Sequence, residues 1–170
     1  MKNTIKGDIT KLKVDAIVNA ANPQLKGGGG VDGAINKAAG SNLLKESLSL
    51  GGCAVGEAKI TKAYNLPSSF VIHAVGPVWN GGNDDEIELL RSAYRNSLLL
   101  AVENNCKSIA FPNISTGVYG MPKIDAAHVA IETVTKFLNE GKYNLNVTFV
   151  CYDDINYMIY QELCPMFKVD

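Results

Sequence analysis

Residues 14–35 read Val14-Asp15-Ala16-Ile17-Val18-Asn19-Ala20-Ala21-Asn22-Pro23-Gln24-Leu25-Lys26-Gly27-Gly28-Gly29-Gly30-Val31-Asp32-Gly33-Ala34-Ile35. The apolar run from Val14 to Val18 suits a buried strand. It gives way to small and polar residues, then to consecutive glycines followed by one acid, Asp32. These glycines have no side chains from which to build a core. Their main-chain N–H groups can approach a ligand unobstructed and, where they lead into a helix N-terminus, form a cradle for phosphate.

Working outward, further runs suited to strands occur at Ala58–Tyr64, Phe70–Val75, Ile109–Pro112 and Val147–Tyr152. Helical patterns lie between them. Ile87, Leu90, Tyr94, Leu98 and Ala101 recur at three- and four-residue steps, and Asp85 with Glu88 has the spacing of an N-cap and its reciprocal acid. A second helix begins after Pro122, gathers Ala127, Ala130, Ile131, Val134, Phe137 and Leu138 on one face and ends at Gly141; a last one follows Asp153 and Asp154. Alternating strands and helices predict an α/β layer structure, and the continuous apolar strands predict a sheet covered on both faces. Ligands of such sheets bind beyond the carboxyl ends of strands. Two loops stand there, Asn19–Asp32 and Asn113–Gly120, and they are placed to grip one diphosphate from opposite sides.

The chain has 170 residues, 46% of them hydrophobic, and a formal net charge of -1. That length suits one domain with its own core, and the charge gives no basic surface for nucleic acid or membrane, so a small ligand is expected. No signal peptide or membrane span is evident, which predicts a cytoplasmic protein. Cys53, Cys106, Cys151 and Cys164 are far apart and lack a C-x-x-C pair, so they are expected as buried free thiols. Of the two histidines, His73 is flanked by apolar residues and is expected as a satisfied interior group, while His128 falls on a helix; neither has a metal-site spacing. No metal or cofactor is expected.

Gly28-Gly29-Gly30-Val31-Asp32-Gly33 formally satisfies the dinucleotide fingerprint G-x-G-x-x-G, so an oxidoreductase has to be weighed. In that fold the first glycine follows the strand directly, whereas here Asn19 to Gly27 intervene, and the next strand lacks a terminal acid for the ribose. A P-loop is excluded, since G-x-x-x-x-G-K-[ST] occurs nowhere. The remaining plain alternative is a glycine-rich loop that binds nothing.

Five ordered motifs settle among these: Gly7-Asp8-Ile9-Thr10, Asn19-Ala20-Ala21-Asn22-Pro23, Gly27 to Ile35, Ile72-His73-Ala74-Val75-Gly76-Pro77-Val78-Trp79 and Ile114-Ser115-Thr116-Gly117-Val118-Tyr119-Gly120. Together they resemble the macrodomain family, of the MacroD type, over almost the whole chain. The resemblance implies a three-layer α/β/α sandwich with a mixed central sheet that binds ADP-ribose. It also implies hydrolysis of mono-ADP-ribosyl esters on Glu and Asp side chains of modified proteins and deacetylation of O-acetyl-ADP-ribose. The competing expectation is an ADP-ribose reader without turnover. A monomer is the default for a complete domain with its own pocket.

By the same resemblance, Asp8 and Ile9 hold the adenine end, and Tyr152 packs against the base. Gly30, Val31, Ser115, Thr116, Gly117, Val118 and Tyr119 surround the diphosphate and distal ribose, with Tyr119 shielding that ribose from solvent. Asn22 and Asp32 are the candidates for chemistry: Asn22 offers a donor and an acceptor for a ribose hydroxyl or the attacking water, and Asp32 a carboxylate. Whether Asp32 is the base, or orients a water that a substrate phosphate activates, stays open at this point. Two departures from the family pattern stand out. Asn36 replaces a usual histidine at what is expected to be the start of the helix behind the acid, and Ala54-Val55 replaces Pro-Thr.

Overall fold

A computed structural model describes residues 1–170. Its strands are β1 (Lys2–Lys6), β2 (Ala16–Ala20), β3 (Ala58–Lys62), β4 (Phe70–Ala74), β5 (Ser108–Phe111) and β6 (Asn146–Cys151). Its helices are α1 (Gly30–Ala39), α2 (Ser41–Ser49), α3 (Glu86–Glu103), α4 (Lys123–Gly141) and α5 (Asp154–Leu163). The sheet runs β1-β6-β5-β2-β4-β3; neighbours are parallel except β3 and β4, so the sheet is mixed.

Strand periodicity makes the layers. On β2, Ala16 and Val18 join one core with Leu90, Tyr94, Leu98 and the inner residues of α4, while Ile17 joins the other with Ile35, Ala39 and Leu43 of α1 and α2. The same alternation sends Ile72 and Val71 of β4, and Phe149 and Val150 of β6, to opposite faces. Helices α3, α4 and α5 cover one face and α1 and α2 the other, giving the expected three-layer sandwich.

Three local expectations need correction. Lys2–Lys6 carries no apolar run yet forms an edge strand, because its backbone pairs in parallel register with β6 from Lys2↔Val147 to Lys6↔Cys151. Asp85 stands before α3 but has φ 57° and makes no side-chain cap. The acid that is used here is Glu86, which organises the turn before the helix: its buried carboxylate accepts from the main-chain N–H of Asn80 (2.7 Å), Gly82 (3.0 Å) and Asp84 (2.5 Å). Helix α1 begins at Gly30, so Asp32 lies in its first turn and Asn36 one turn further in, not at its start. By contrast, α4 starts directly after Pro122, as its sequence predicts.

Candidate functional site

Strands β2 and β5 are parallel neighbours, but β2 leads into α1 on one face and β5 into α4 on the other. Where adjacent connections diverge in this way, a crevice opens at the strand ends. A cavity of about 870 Å³ occupies that place and extends across the ends of β6 and β1. Asp8, Ile9, Asn22, Gly30, Val31, Asp32, Ser115, Thr116, Gly117, Val118, Tyr119 and Tyr152 all line it. The structure thus brings every residue singled out from sequence into one site.

The two glycine-rich loops supply donors. The main-chain N–H groups of Gly28 to Asp32, and of Ser115 to Tyr119, donate to no acceptor in the chain. For α1 this follows from geometry, since first-turn N–H groups have no carbonyl a turn earlier. The second loop is held by its other groups: Met121 N–H donates to Ser115 O (2.9 Å), Gly120 N–H to Gly117 O (2.9 Å) and Trp79 N–H to Tyr119 O (2.8 Å). Ser115, at φ 67°, donates its hydroxyl to Pro77 O at 2.9 Å, fastening the loop to the segment after β4. Two rows of free N–H dipoles, with the positive end of α1 behind one, suit a diphosphate without a cation in either loop.

At one end of the cavity, Asp8 Oδ1 accepts from Thr10 N–H (2.9 Å) and Thr10 Oγ1 (2.7 Å), and these bonds lower its pKa. Asp8 is both a turn acid and a cavity residue, because Oδ2 has no partner in the chain. Tyr152 stands 84% exposed on the rim at the end of β6, its ring open to a planar group.

At the other end, Asp32 is 6% exposed. Its Oδ1 accepts from Asn19 Nδ2 (2.9 Å) and Asn36 Nδ2 (2.8 Å), while Oδ2, beside Gly28, has no partner. Burial raises its pKa and outweighs the opposing effect of the two amides. Asp32 is therefore a stronger base than an exposed aspartate, with one oxygen held and one presented. Asn22 spends part of its amide on shape: Nδ2 donates to Gly27 O (2.8 Å) and Oδ1 accepts from Lys26 N–H (3.1 Å), which folds the loop and leaves one donor and one acceptor direction.

Of the departures, Asn36 donates straight to the acid, and Ala54 and Val55 are exposed and do not line the cavity. All four cysteines are free and buried; burial pushes the Cys151 thiol up to about 11. His73 is a satisfied interior group, with both ring nitrogens partnered. The protein contains no group of three or more His, Cys, Asp or Glu side chains placed to hold a metal ion, and no helix long and apolar enough to cross a membrane.

Gly76, Asn113, Lys123, Asp153 and Asn156 also line the cavity but carried no role in the sequence. Lys123 was findable, since a residue opening a helix after a site loop faces that site. Asn19 bonds the acid from behind. Its signal was a polar residue on the same strand face as buried Ile17, which demands a partner.

A family model described as "Macro domain" matches residues 18–130. A Macro domain-containing protein of Chlorobaculum tepidum is 59% identical over 160 residues, covering 94% of this chain and 93% of that protein. An O-acetyl-ADP-ribose deacetylase of Escherichia coli K12 is 52% identical over 165 residues, covering 95% and 93%. Among solved structures, an Oceanobacillus iheyensis macrodomain with ADP superposes with a TM-score of 0.92 at 45% identity, covering 97% of this chain and 90% of that one.

Proposed function

The chain belongs to the Macro domain family, and on that premise we propose that it is an ADP-ribose-binding hydrolase. It deacetylates O-acetyl-ADP-ribose and removes mono-ADP-ribose esterified to Glu and Asp side chains of proteins. The observation that carries this is Asp32: a buried carboxylate with raised pKa, its Oδ1 tied back and its Oδ2 presented to a cavity ringed by phosphate donors. The cavity is lined by residues of a single chain, which supports a monomer.

In this reading Asp32 Oδ2 accepts a proton from water as the water oxygen bonds to the ester carbonyl carbon. The C–O bond to the ribose then breaks, the ribose oxygen recovers a proton, and carboxylic acid and ADP-ribose leave. The loops fix the diphosphate, and Asn22 orients a ribose hydroxyl or the water. The E. coli relative's name supports the ester chemistry, and the ADP in the O. iheyensis structure supports the adenosine diphosphate portion of the ligand.

The test measures acetate release from O-acetyl-ADP-ribose and label release from a protein carrying carboxylate-linked ADP-ribose. Turnover by the wild type, lost in Asp32→Ala with ADP-ribose binding retained, is expected. Tight binding with no release over hours would make the protein a reader instead.

A further inference from the structure

Behind Asp32 runs a chain of buried polar groups in the layer between the sheet and α1. Asn19 and His73 are register partners on the parallel strands β2 and β4, and Thr61 stands near His73 on β3. Asn19 Nδ2 lies 2.9 Å from Asp32 Oδ1 and 3.2 Å from His73 Nδ1; His73 Nε2 lies 3.0 Å from Thr61 Oγ1, and Thr61 Oγ1 donates to Lys62 O at 3.0 Å. None of these three side chains reaches the cavity.

The proton positions follow from one fact: an ionised carboxylate only accepts. Asn19 must turn its NH2 toward Asp32, and that same nitrogen meets His73 Nδ1, which must therefore be bare. A neutral ring with a bare Nδ1 carries its proton on Nε2 and donates to Thr61, whose own hydrogen goes to Lys62 O. Burial keeps the ring neutral by pushing its pKa down to about 4. The only group left over is Asn19 Oδ1, which is buried without a partner. Turning the amide over would not help, because it would set that oxygen against the Asp32 carboxylate, which has no proton to donate.

From this arrangement we infer that His73 is a positioning residue for hydrolysis: its Nδ1 lone pair locks the Asn19 amide, and Asn19 in turn holds Asp32 Oδ1 so that Oδ2 is the oxygen presented to the substrate. The inference rests on the proposed ester hydrolysis. It says which buried group keeps the base aligned and why that group is a histidine in one tautomer. Asn36 holds Oδ1 from the helix side, so Asn19 supplies the second of two directions needed to fix the carboxylate plane.

Two variants separate positioning from simple core packing. An asparagine at 73 puts an amide oxygen where Nδ1 stands and can accept from Asn19, but it leaves a void. A glutamine fills the volume better and reaches Thr61, but it has no acceptor at the Nδ1 position. His73→Gln is expected to be the more stable variant, yet to lose about tenfold or more in kcat through misplacement of the carboxylate, with Kd for ADP-ribose within about twofold of wild type. His73→Asn is expected to stay within about threefold of wild-type kcat despite lower stability. Wild-type kcat in His73→Gln, or activity that ranks with stability across the pair, would overturn the inference. An imidazole 15N spectrum of the wild type gives a readout independent of turnover: the Nε2–H tautomer is expected, and the Nδ1–H tautomer would overturn the assignment. If the wild type shows this tautomer but releases no acetate, the proposed hydrolysis fails and the hydrogen-bond chain stands.

Discussion

Gly76 is where the segment after β4 packs against the second phosphate loop, and Gly76→Ala tests whether that contact sets the loop. A Cβ built at Gly76 would sit 2.3 Å from Ser115 Oγ and 2.5 Å from Ile114 Cγ2, roughly 1 Å short of van der Waals contact for each. The backbone at Gly76 is in an ordinary region, so the penalty comes from the clash alone. Ser115 can rotate only by giving up its 2.9 Å bond to Pro77 O, a loss of about 1 kcal/mol. Ile114 is 1% exposed and β-branched, with no free space into which to turn; overpacking of this kind costs about 1–3 kcal/mol. Together these give a destabilisation of about 2–4 kcal/mol, within what a domain of this size tolerates. Relief that moves Ser115 to Tyr119 by about 1 Å also misplaces its row of N–H donors, and ADP-ribose affinity should fall by about a hundredfold, or some 3 kcal/mol. Urea denaturation and calorimetric titration with ADP-ribose read the two effects. Ser115→Gly in the same background removes the clashing hydroxyl and suits φ 67°, so the double variant should recover part of both losses. A stability change below about 0.5 kcal/mol with unchanged affinity, or strictly additive effects of the two substitutions, would refute the reasoning.

Burial raises the Asp32 pKa above its ordinary 3.8, so the folded state resists ionising this group. Its penalty is absent at low pH, where both states are protonated, and grows as pH rises through the unfolded value. Asp32→Asn should therefore raise Tm at pH 7 while lowering hydrolysis at least about a hundredfold, and the Tm gain should vanish below about pH 4; a Tm at pH 7 equal to or below wild type would count against a penalised carboxylate. Glu86 behaves oppositely: burial pushes its carboxyl up, but the N–H groups of Asn80, Asp84, Glu86 and Gly82 overcome that and hold its pKa below 4.5. Its stabilisation is present above the unfolded pKa and lost as pH falls through the folded one, so Glu86→Gln should lower Tm at pH 7, with the deficit shrinking as the pH is taken down through the folded pKa; equal Tm values at pH 7 would show that the carboxylate is not what organises residues 80–85. Gly33→Ala sets a Cβ 2.6 Å from Gly28 O. Helix propensity favours alanine by up to about 1 kcal/mol, so stability should change little while Gly28 shifts and ADP-ribose Kd rises about tenfold; an unchanged Kd in a titration would show that the glycine run moves without consequence.

The layered α/β plan was legible in the sequence because burial on a sheet or helix face imprints a local period: Val14–Val18, Ile109–Pro112 and the face of α4 each announce their element without reference to anything distant. The glycine run with Asp32, and the second loop ending at Tyr119, were legible for the same reason, since glycines and a lone acid between a strand and a helix have few local uses. Lys2–Lys6 left no such trace. An edge strand half in solvent is defined by backbone pairing with β6, which lies at the far end of the chain. The choice of Glu86 over Asp85 also needed three dimensions, because the N–H groups that it gathers come from a turn whose path no spacing rule reports. Most of what makes Asp32 a base is of that kind. Sequence placed a carboxylate beside phosphate donors; only the register that sets Asn19 against His73, and the packing of α1 on that sheet face, decided that one oxygen is held, the other presented and the pKa raised.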